Sequence, residues 1–349
     1  MPMLPRVNGR QAQQGVALIT VMLVVALATL LAVSMMRNQH VSLRYAEGLL
    51  TQDQAILYTQ GAEGFVQDLL MRDFDDDRRK QREVDHPGET WARPFPAFPV
   101  PGGGVQASLA DAQGRFNLNL LVQENAVNET ARTVLKRLLV NLDLPDNLDA
   151  ALIDWMDGDN EPNGIDGAED DFYTRLPVPY RTANQPLSDV SELLLVKGFT
   201  PLVVARLRPH VSALPVTALI NVNTATGELV RTLTENMTAS GAEELQRNRP
   251  ADGYDSVDSF LNETAFNGLD ASAKDALKPL LTVRTAYFEL AARAMISGRQ
   301  SVLHSVLARS DSGTLGVVSR DYGRQFIVPA PATTKRPDLP AGLTTTDSR

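Results

Sequence analysis

A run of 21 consecutive uncharged residues, at positions 16–36, constrains this chain more than any other part of its sequence. As an α-helix the run would be ~31 Å long, which matches the ~30 Å hydrocarbon core of a bilayer. A secretory signal peptide has a shorter apolar stretch that is followed by its cleavage site. Here a basic leader ends at Gly15, a small residue directly before the apolar run. We therefore expect cleavage between Gly15 and Val16, which leaves the apolar helix in the mature protein as an anchor.

Composition excludes several classes of protein. The chain has 349 residues, of which 43% are hydrophobic, so it can bury a sizeable core and form two domains after the anchor. It contains no cysteine, which leaves neither a disulfide framework nor thiol chemistry. Its net charge of -9 argues against a general affinity for nucleic acid. The four histidines are far apart in sequence and none lies in an HExxH motif, so we expect no enzyme.

Periodicity predicts an α+β fold. Apolar residues at spacings near three, four and seven extend the helix to about residue 71, and the charged run 73–80 is expected to be a solvated turn. Alternating patterns predict strands at 105–109 and 115–120, and again between 288 and 319. Helical patterns dominate the residues between these two groups of strands.

A sheet interrupted in this way is most simply one domain inserted into a loop of another. We expect the N-terminal helix to pack on a small antiparallel sheet that carries a large inserted helical domain. The expected units are a leader (1–15), a transmembrane helix (16–36), its continuation (37–72), an α/β domain (73–124 and 282–328), an all-helical insertion (125–281) and a disordered tail (329–349).

The sharpest chemical signal is the segment 154–171, DWMDGDNEPNGIDGAEDD, which holds eight carboxylates. No Lys or Arg occurs between Arg137 and Arg175, so no residue nearby in sequence neutralises them. Like charges this dense cost free energy unless solvent screens them or a cation binds. Oxygen ligands without histidine or cysteine favour Ca²⁺, which accepts six to eight oxygens. Two interpretations stay open, a calcium loop and a solvated acidic turn that binds no ion.

The segment is not an EF-hand. Asp157, Asp159 and Glu161 fit positions 1, 3 and 5 of an EF-hand loop, but Pro162 replaces the glycine that the sixth position requires. Asp154 is expected to cap a helix or to accept hydrogen bonds from the backbone. The side chains expected to bind the ion are Asp157, Asp159, Glu169, Asp170 and Asp171.

Two parts of the helical region resemble helix-hairpin-helix units, residues 190–210 and residues 219–226 together with 254–261. In DNA-binding proteins such hairpins donate backbone N–H groups to phosphate and are flanked by Lys and Arg. Between residues 189 and 258 there are nine acidic and six basic residues, so a packing role is favoured. A membrane-anchored receptor that binds or takes up DNA through these hairpins is the alternative function.

The leader, the position of Gly15 and the long helix that follows resemble the class III signal of type IV pilins and type II secretion pseudopilins. That group carries Glu as the fifth residue after the cleaved Gly, whereas this chain has Thr20 there. The missing carboxylate, the helical insertion and the run GIDGAEDDFY are most similar to the K-type minor pseudopilin of the type II secretion system, the general secretion pathway protein K family. A first mature residue of Val16, in place of Phe, is a small departure that would slow N-methylation rather than cleavage.

The resemblance implies a single-pass protein of the bacterial inner membrane whose C-terminal part lies in the periplasm. It implies processing by prepilin peptidase, contact with the inner-membrane secretion platform, and assembly with I-type and J-type minor pseudopilins at the tip of a filament. It also implies Ca²⁺ in the inserted domain and no nucleic acid partner. In this family the fifth-position carboxylate pairs with the N-terminal amine of a neighbouring subunit. Thr20 therefore marks a subunit at the end of the filament.

Overall fold

The computed structural model describes residues 13–323, with side chains from residue 16 onwards. The predicted leader up to residue 12 and the predicted tail lie outside the described residues. Within them one helix, α1 (Gln13–Lys80), is long and apolar enough to cross a membrane, with a mean hydropathy of 2.9 over its most apolar window. The side chains of residues 16–36 are exposed, as expected of a surface that contacts lipid. The helix thus fits a single-pass anchor near the N-terminus.

Helix α1 is longer than its sequence pattern predicts. The charged run 73–80, expected to be a solvated turn, forms its last two turns. Phe74 and Asp77 are buried there, and the last turn carries three basic side chains, which interact favourably with the helix dipole. The prediction was wrong because it followed the many charged residues of this segment. Its few buried side chains pack the end of α1 against the rest of the protein.

Eleven strands follow α1 within the described residues. In chain order they are β1 (Phe98–Val100), β2 (Gly103–Asp111), β3 (Phe116–Asn117), β4 (Val122–Gln123), β5 (Ala126–Val127), β6 (Val211–Ser212), β7 (Ile220–Asn221), β8 (Leu281–Thr282), β9 (Tyr287–Ile296), β10 (Arg299–Arg309) and β11 (Leu315–Asp321).

Five of these strands form one antiparallel sheet in the order β1-β2-β9-β10-β11. The hairpin between β9 and β10 turns through Ser297 and Gly298, both at positive φ (45° and 80°). Such angles are those of a type I′ turn, whose twist matches that of the flanking strands. One face of the sheet packs on the second half of α1 around Val66, Leu70, Phe288, Leu290 and Leu303.

A helical lobe, residues 115–285, lies between β2 and β9 in the chain. Its helices are α2 (Glu129–Asn141), α3 (Leu148–Met156), α4 (Asp170–Tyr173), α5 (Pro201–Leu207), α6 (Gly227–Thr232), α7 (Ala239–Arg247), α8 (Val257–Leu261) and α9 (Ala271–Leu277). They enclose one large hydrophobic core.

Two details of the prediction for this part of the chain were wrong. The stretch 115–120, expected to be a strand, is strand only at Phe116 and Asn117, and a 3₁₀ turn follows (Leu118–Leu121). The lobe is also not all-helical, because β3 to β8 pair in twos within it. Alternation misled the prediction because every residue from 116 to 121 is buried in the lobe, so no face of this stretch points to solvent.

The lobe contains two copies of the same arrangement of turns and strands. The sequence analysis did not detect this repeat. Each copy begins with alternating apolar residues and asparagines, FNLN at 116–119 and INVN at 220–223. Each ends with a proline-containing 3₁₀ turn and a short strand that returns parallel to the first, so that β3 pairs with β6 and β7 pairs with β8. We call residues 115–216 the first repeat and residues 219–285 the second repeat.

A buried asparagine closes each repeat. Asn119 accepts a hydrogen bond from the backbone N–H of Leu187 (2.7 Å) and donates to the carbonyl oxygens of Leu187 (2.9 Å) and Leu214 (2.8 Å). Asn223 accepts from the backbone N–H of Tyr254 (2.7 Å) and donates to its carbonyl oxygen (3.2 Å). Buried backbone groups need such partners, so the alternating asparagines hold a distant loop across the core.

A polar joint connects the second repeat to the sheet. Asp111, at the end of β2, accepts hydrogen bonds from the side chains of Asn221 (3.0 Å) and Thr285 (2.5 Å). Asp85 accepts from the backbone N–H of Thr285 (2.6 Å) and pairs with Arg309 of β10 (2.5 Å). We call these five residues the polar joint; four of them are buried and Asp111 is half-buried. Desolvation of its carboxylate raises the pKa of Asp111 to about 6. The lobe is therefore fixed to the sheet by a closed set of polar contacts.

Candidate functional site

Three carboxylates converge where the first repeat departs from regular structure. Asp157 is the residue after α3, Glu169 is the residue before α4, and Asp159 lies in the loop between them. One oxygen of each lies within 4.8 Å of an oxygen of the other two. Asp157 and Glu169 are buried, whereas Asp159 faces solvent. We call these three residues the loop carboxylates.

The loop that carries them folds around Asp154. One carboxylate oxygen of Asp154 accepts a hydrogen bond from the backbone N–H of Asn163 (2.9 Å), and the other accepts from that of Ala168 (2.6 Å). A Cβ atom at Gly167 would clash with this carboxylate, so the close approach requires glycine. The expectation that Asp154 bonds to the backbone is confirmed.

Aromatic side chains form the base of the loop. Trp155 packs edge to face on Tyr173 with ring centroids 5.3 Å apart, and Tyr180 completes the group. The hydroxyl of Tyr173 accepts a hydrogen bond from the backbone N–H of Lys197 (3.1 Å). These contacts join the two ends of the loop, because Trp155 lies two residues before Asp157 and Tyr173 lies four residues after Glu169.

The two buried loop carboxylates have unpaired oxygens. Oδ1 of Asp157 and both carboxylate oxygens of Glu169 are buried and have no hydrogen-bond partner among the described residues. Burial, together with repulsion from Asp159 and Asp154, raises the pKa of Asp157 to about 6. Burial and the neighbouring carboxylates raise the pKa of Glu169 to about 8. Buried acceptors without donors cost ~1–3 kcal/mol each, so the arrangement favours a bound cation or proton.

The loop carboxylates fit one hard cation. Ca²⁺ holds its oxygens at 2.3–2.6 Å, so oxygens on opposite sides of the ion lie up to about 5 Å apart. The oxygens here lie within 4.8 Å of one another. Mg²⁺ demands a tighter octahedron, and softer metals prefer nitrogen or sulfur ligands. Three side chains supply only part of a calcium shell, so carbonyl groups or water would complete it.

The other two predicted ligands are engaged elsewhere. Oδ1 of Asp170 accepts hydrogen bonds from the N–H and the hydroxyl of Thr182 (both 3.1 Å), and its Oδ2 lies 3.4 Å from Arg181. The side chain of Asp171 is 94% exposed and faces a neighbouring arginine. Both residues follow Glu169 directly, but α4 begins there, and successive side chains of a helix point in different directions. The structure thus brings three of the five predicted ligands together.

A second group of carboxylates, which the sequence analysis did not single out, lies beside the polar joint. Oxygens of Asp73, Asp85 and Glu89 lie within 4.8 Å of one another. Arg309 pairs with Asp85 (2.5 Å) and Asp73 (3.5 Å), and Trp91 donates its Nε1–H to Glu89 (2.5 Å). Burial and repulsion from Asp85 raise the pKa of Asp73 to about 7, and that of Glu89 to about 8. Because a buried guanidinium already pairs with two of its members, this group is a structural network rather than a cation site.

The first segment that resembles a helix-hairpin-helix unit is built into the lobe. Its turn at Gly198, with φ +87°, joins the 3₁₀ turn Val190–Leu195 to α5. The ammonium group of Lys197 donates to the carbonyl oxygens of Asp166 (3.2 Å) and Gly167 (3.0 Å). The hairpin therefore fixes the acidic loop in place, in agreement with the predicted packing role.

Known proteins are similar to this chain over most of its length. Family models described as type II secretion system (T2SS), protein K, match residues 114–216 and 220–284. The type II secretion system protein K of Pseudomonas aeruginosa is 36% identical over 93% of this chain and 97% of its own length. That of Pectobacterium carotovorum is 36% identical over 90% and 98%. This chain belongs to the type II secretion system protein K family.

A solved structure agrees with this assignment. One chain of the GspK-GspI-GspJ complex from the enterotoxigenic Escherichia coli type 2 secretion system matches with a TM-score of 0.71 and 29% identity, over 78% of this chain and 97% of that chain. The predicted resemblance to a K-type minor pseudopilin and the predicted α+β fold are confirmed. Protein K is a structural pseudopilin, and the two family matches coincide with the first and second repeats.

Proposed function

We propose that this member of the protein K family is a minor pseudopilin at the tip of the type II secretion filament. It assembles with I-type and J-type minor pseudopilins, initiates the filament and supports export of folded proteins across the outer membrane. Helix α1 anchors it in the inner membrane, and its folded part lies in the periplasm. The observation that carries the proposal is an unpartnered face of α1 in a chain similar to one from the GspK-GspI-GspJ complex.

The exposed face of α1 is shaped to receive another helix. Leu43, Leu50 and Leu57 recur every seven residues and are 61%, 70% and 65% exposed. Gly61 and Gly64 continue the same face, and nothing lies within 4 Å of where their Cβ atoms would be. Heptad-spaced apolar residues form the contact line of paired helices, and small residues let two backbones approach closely. We call these five residues the α1 seam.

Two features support a position at the end of the filament. The hydroxyl of Thr20 donates to the carbonyl oxygen of Ala17 (2.9 Å) within its own helix, so it offers no charge to the N-terminal amine of a neighbour. The helical lobe adds bulk that stacked subunits of a shaft would have to accommodate. A subunit at the tip has no neighbour above it, which leaves room for the lobe.

Maturation precedes assembly in this proposal. Prepilin peptidase cleaves after Gly15, N-methylation follows at Val16, and the mature helix then contacts the inner-membrane secretion platform. Gly15→Leu is expected to block cleavage because a bulky side chain replaces the small residue before the scissile bond. N-terminal sequencing of the purified protein checks this. A mature N-terminus inside or after the run 16–36 contradicts the proposed processing.

Co-purification with I-type and J-type subunits tests the α1 seam. Leu57→Asp and Gly61→Leu are expected to reduce recovery of both partners about tenfold, because one inserts a charge into the contact line and the other prevents close approach. Val318→Asp is the matched control, since Val318 is 54% exposed but lies on β11. If both seam variants recover the partners as well as the control does, assembly does not use this face. Secretion that continues unimpaired after deletion of the gene contradicts the proposed function as a whole.

We further infer that the loop carboxylates bind Ca²⁺. The proposal stands on the three converging oxygens and on the buried, unpaired atoms of Asp157 and Glu169. The ion would neutralise charge that the loop otherwise holds at a cost, and it would stabilise the first repeat. Asp170 and Asp171 are left out of the proposed ligand set because their side chains face Thr182 and solvent.

Titration calorimetry of the purified protein with CaCl₂ tests the ion. We expect a binding heat that Asp157→Asn combined with Glu169→Gln abolishes. Asp171→Asn is the control, since it removes an acidic side chain that is 94% exposed and is expected to leave binding unchanged. Absence of binding heat, together with a melting temperature that EDTA does not change, would establish the alternative of a solvated acidic turn.

A further inference from the structure

A group of basic residues follows the apolar run of α1. No Asp or Glu occurs between residues 16 and 46, whereas Arg37, His40 and Arg44 lie within this stretch. All three side chains are exposed, and none forms an ion pair with any residue that the structure describes. We call these three residues the basic face. Their donor groups are therefore available to a partner outside the chain.

The basic face lies at the depth of lipid headgroups. The uncharged run ends at Met36, so Arg37, His40 and Arg44 lie about 1.5, 6 and 12 Å beyond it along the helix axis. Headgroups occupy about 5–8 Å on each side of the hydrocarbon core. Side chains of an α-helix lean towards its N-terminus, which here is the end in the membrane, and long arginine side chains reach back to the interface.

The three residues share one side of α1, and the folded domain stands on that side. Spacings of three and seven residues place them within about 60° of one another around the helix. Ala55 and Val66, which are buried against the sheet, lie within about 40° of Arg44. The basic face therefore borders the gap between the sheet and the membrane.

The β9–β10 hairpin closes this gap on the side away from the membrane. Nη2 of Arg299, the first residue of β10, lies 3.0 Å from where a Cβ atom of Gly48 would be, so glycine permits this contact with α1. Gln52 donates to the carbonyl oxygen of Gln300 (3.4 Å) one turn further along the helix. The hairpin is thus held about one turn from Arg44.

A helix that packs on the α1 seam leaves the basic face uncovered. Leu43, Leu50 and Leu57 lie about 100–140° from Arg44 around the helix, so the seam and the basic face are on different sides. With the sheet above and the seam partner on another side, the surface that adjoins the basic face is the membrane itself.

The chemistry of the basic face fits a phosphate group. Guanidinium groups bind phosphate through paired N–H donors, and an imidazole ring adds a further N–H. The nearest acidic residue of α1 is Glu47, three residues after Arg44, and no ion pair joins the two in the part of the chain that the structure describes. Anionic lipids attract basic residues that lie within a Debye length of the surface, about 8–10 Å at physiological salt.

We propose that Arg37, His40 and Arg44 bind the phosphate groups of anionic phospholipids in the leaflet next to the folded domain. The lipid contact sets the depth of α1 in the bilayer and holds the folded domain over the membrane surface. The proposal rests on the membrane anchor of the proposed function, and it requires neither the calcium ion nor a position at the filament tip.

Lipid selectivity of the full chain tests the proposal. The protein is reconstituted in vesicles of phosphatidylcholine and phosphatidylglycerol, and native mass spectrometry measures the ratio of the two lipids that stay bound. We expect Arg37→Gln combined with Arg44→Gln to lower the bound phosphatidylglycerol about tenfold relative to phosphatidylcholine. Arg6 and Arg10 of the leader are present in every variant, so they do not affect this comparison.

Arg299→Gln is the matched control. It removes an exposed arginine from the same side of α1, but Arg299 lies at the level of Gly48, about 18 Å beyond Met36 and outside the Debye length. We expect this variant to keep the lipid ratio of the unchanged protein. An equal loss in the control and the double variant overturns the proposal, as does a double variant that keeps its phosphatidylglycerol. Inorganic phosphate that displaces the lipid more effectively than NaCl of the same ionic strength would assign the basic face to free phosphate and overturn its assignment to lipid.

Photo-cross-linking in cells separates a lipid from a protein partner. A photoreactive amino acid replaces Val41, which is 63% exposed and lies between His40 and Arg44 in the chain. We expect adducts of phospholipid mass; adducts mainly with a protein, including the I-type or J-type subunit, overturn the proposal.

The double variant is expected to stay in the membrane fraction with an unchanged melting temperature, because both arginines are exposed. An unchanged chain that is absent from the membrane fraction overturns the anchor itself, whereas an anchored chain without lipid preference overturns only this proposal.

Discussion

The first and second repeats are held together by equivalent contacts, but they differ in the loops and surfaces that they carry. In each, a buried asparagine bridges to a distant loop, Asn119 to Leu187 and Asn223 to Tyr254, and a parallel pair of two-residue strands joins the two ends. The second repeat is compact and its termini contribute Asn221 and Thr285 to the polar joint. The first repeat adds the acidic loop, and it carries all seven exposed large apolar side chains of residues 115–285.

The difference shows which features the shared plan requires. Both copies need the alternating asparagines and the returning strand, because these satisfy buried backbone groups. Neither the loop carboxylates nor exposed leucines are needed, since the second repeat folds without them. Features present in only one copy are therefore the better candidates for function, and the following predictions test that division.

The largest loss of folding stability is expected when Asn119 or Asn223, the asparagines that close the repeats, is replaced. Asn119→Ala leaves three buried backbone groups of Leu187 and Leu214 without a partner, so we expect a loss of about 3–5 kcal/mol. Asn223→Ala leaves only the two groups of Tyr254 and should cost about 2–3 kcal/mol. Urea unfolding of both variants measures the difference. Costs below ~0.5 kcal/mol for both would show that the asparagines do not hold the repeats together.

Calcium removal is expected to affect one repeat and not the other. An ion present at 100 times its Kd stabilises the folded state by ~2.7 kcal/mol, which EDTA would remove. The fluorescence of Trp155, which packs beneath the loop, should change with chelation. Hydrogen exchange should increase across residues 154–173 and stay constant across 220–284. An equal increase in hydrogen exchange in both repeats would show that calcium acts at a site other than the loop carboxylates.

A smaller loss of folding stability is expected when pH is raised in the presence of saturating calcium. Asp73 and Glu89 have pKa values raised to about 7 and 8, so the folded chain holds protons that the unfolded chain has lost. Stability from these groups is present at low pH and falls as pH rises towards 8. Burial lowers the pKa of His86, so this residue makes the protein more stable as pH rises, but only below about pH 6.5. The stability change due to Asp73 and Glu89 is therefore measured between pH 6.5 and 8.

Thermal melts across that window measure the slope. Asp73→Asn is expected to flatten it, because the amide cannot ionise. His86→Gln is the control, since a neutral histidine contributes no slope above pH 6.5. A melting temperature that rises between pH 6.5 and 8 contradicts this assignment of the raised pKa values.

The smallest effect on stability is expected at Leu202, which is the second residue after the N-cap of α5, as Ser272 is the second residue after the N-cap of α9. Leu202→Ser and its mirror change Ser272→Leu exchange the exposed residues of the two repeats, and surface changes of this kind stay within about 0.5 kcal/mol. Chemical denaturation checks both variants. A loss of more than ~2 kcal/mol for Leu202→Ser would mean that this leucine packs within the protein and that the two repeats are not equivalent here.

Much of the fold could be predicted from local patterns. The helical patterns between the two groups of strands correctly indicated α2 and α3, and the alternation between residues 288 and 319 correctly indicated β9 and β10. The polar joint could not be predicted, since its residues come from positions as far apart as Asp85 and Arg309 and carry no shared local signal. Which of the five predicted ligands lie close together could not be predicted for a related reason. Neighbours in sequence, Glu169 and Asp170, point in different directions once α4 begins.

The sequence by itself determined the anchor, the family and the place of the acidic loop, because uncharged length, leader pattern and charge density are properties of consecutive residues. Tertiary structure alone decided which carboxylates meet, which asparagines close each repeat and which apolar side chains stay exposed. Each of these depends on contacts between distant segments. Asp157 and Glu169 become a candidate calcium site only when the loop folds around Asp154 and excludes water from them. Leu195 is exposed although the second repeat exposes no large apolar side chain, a difference that no local pattern indicates.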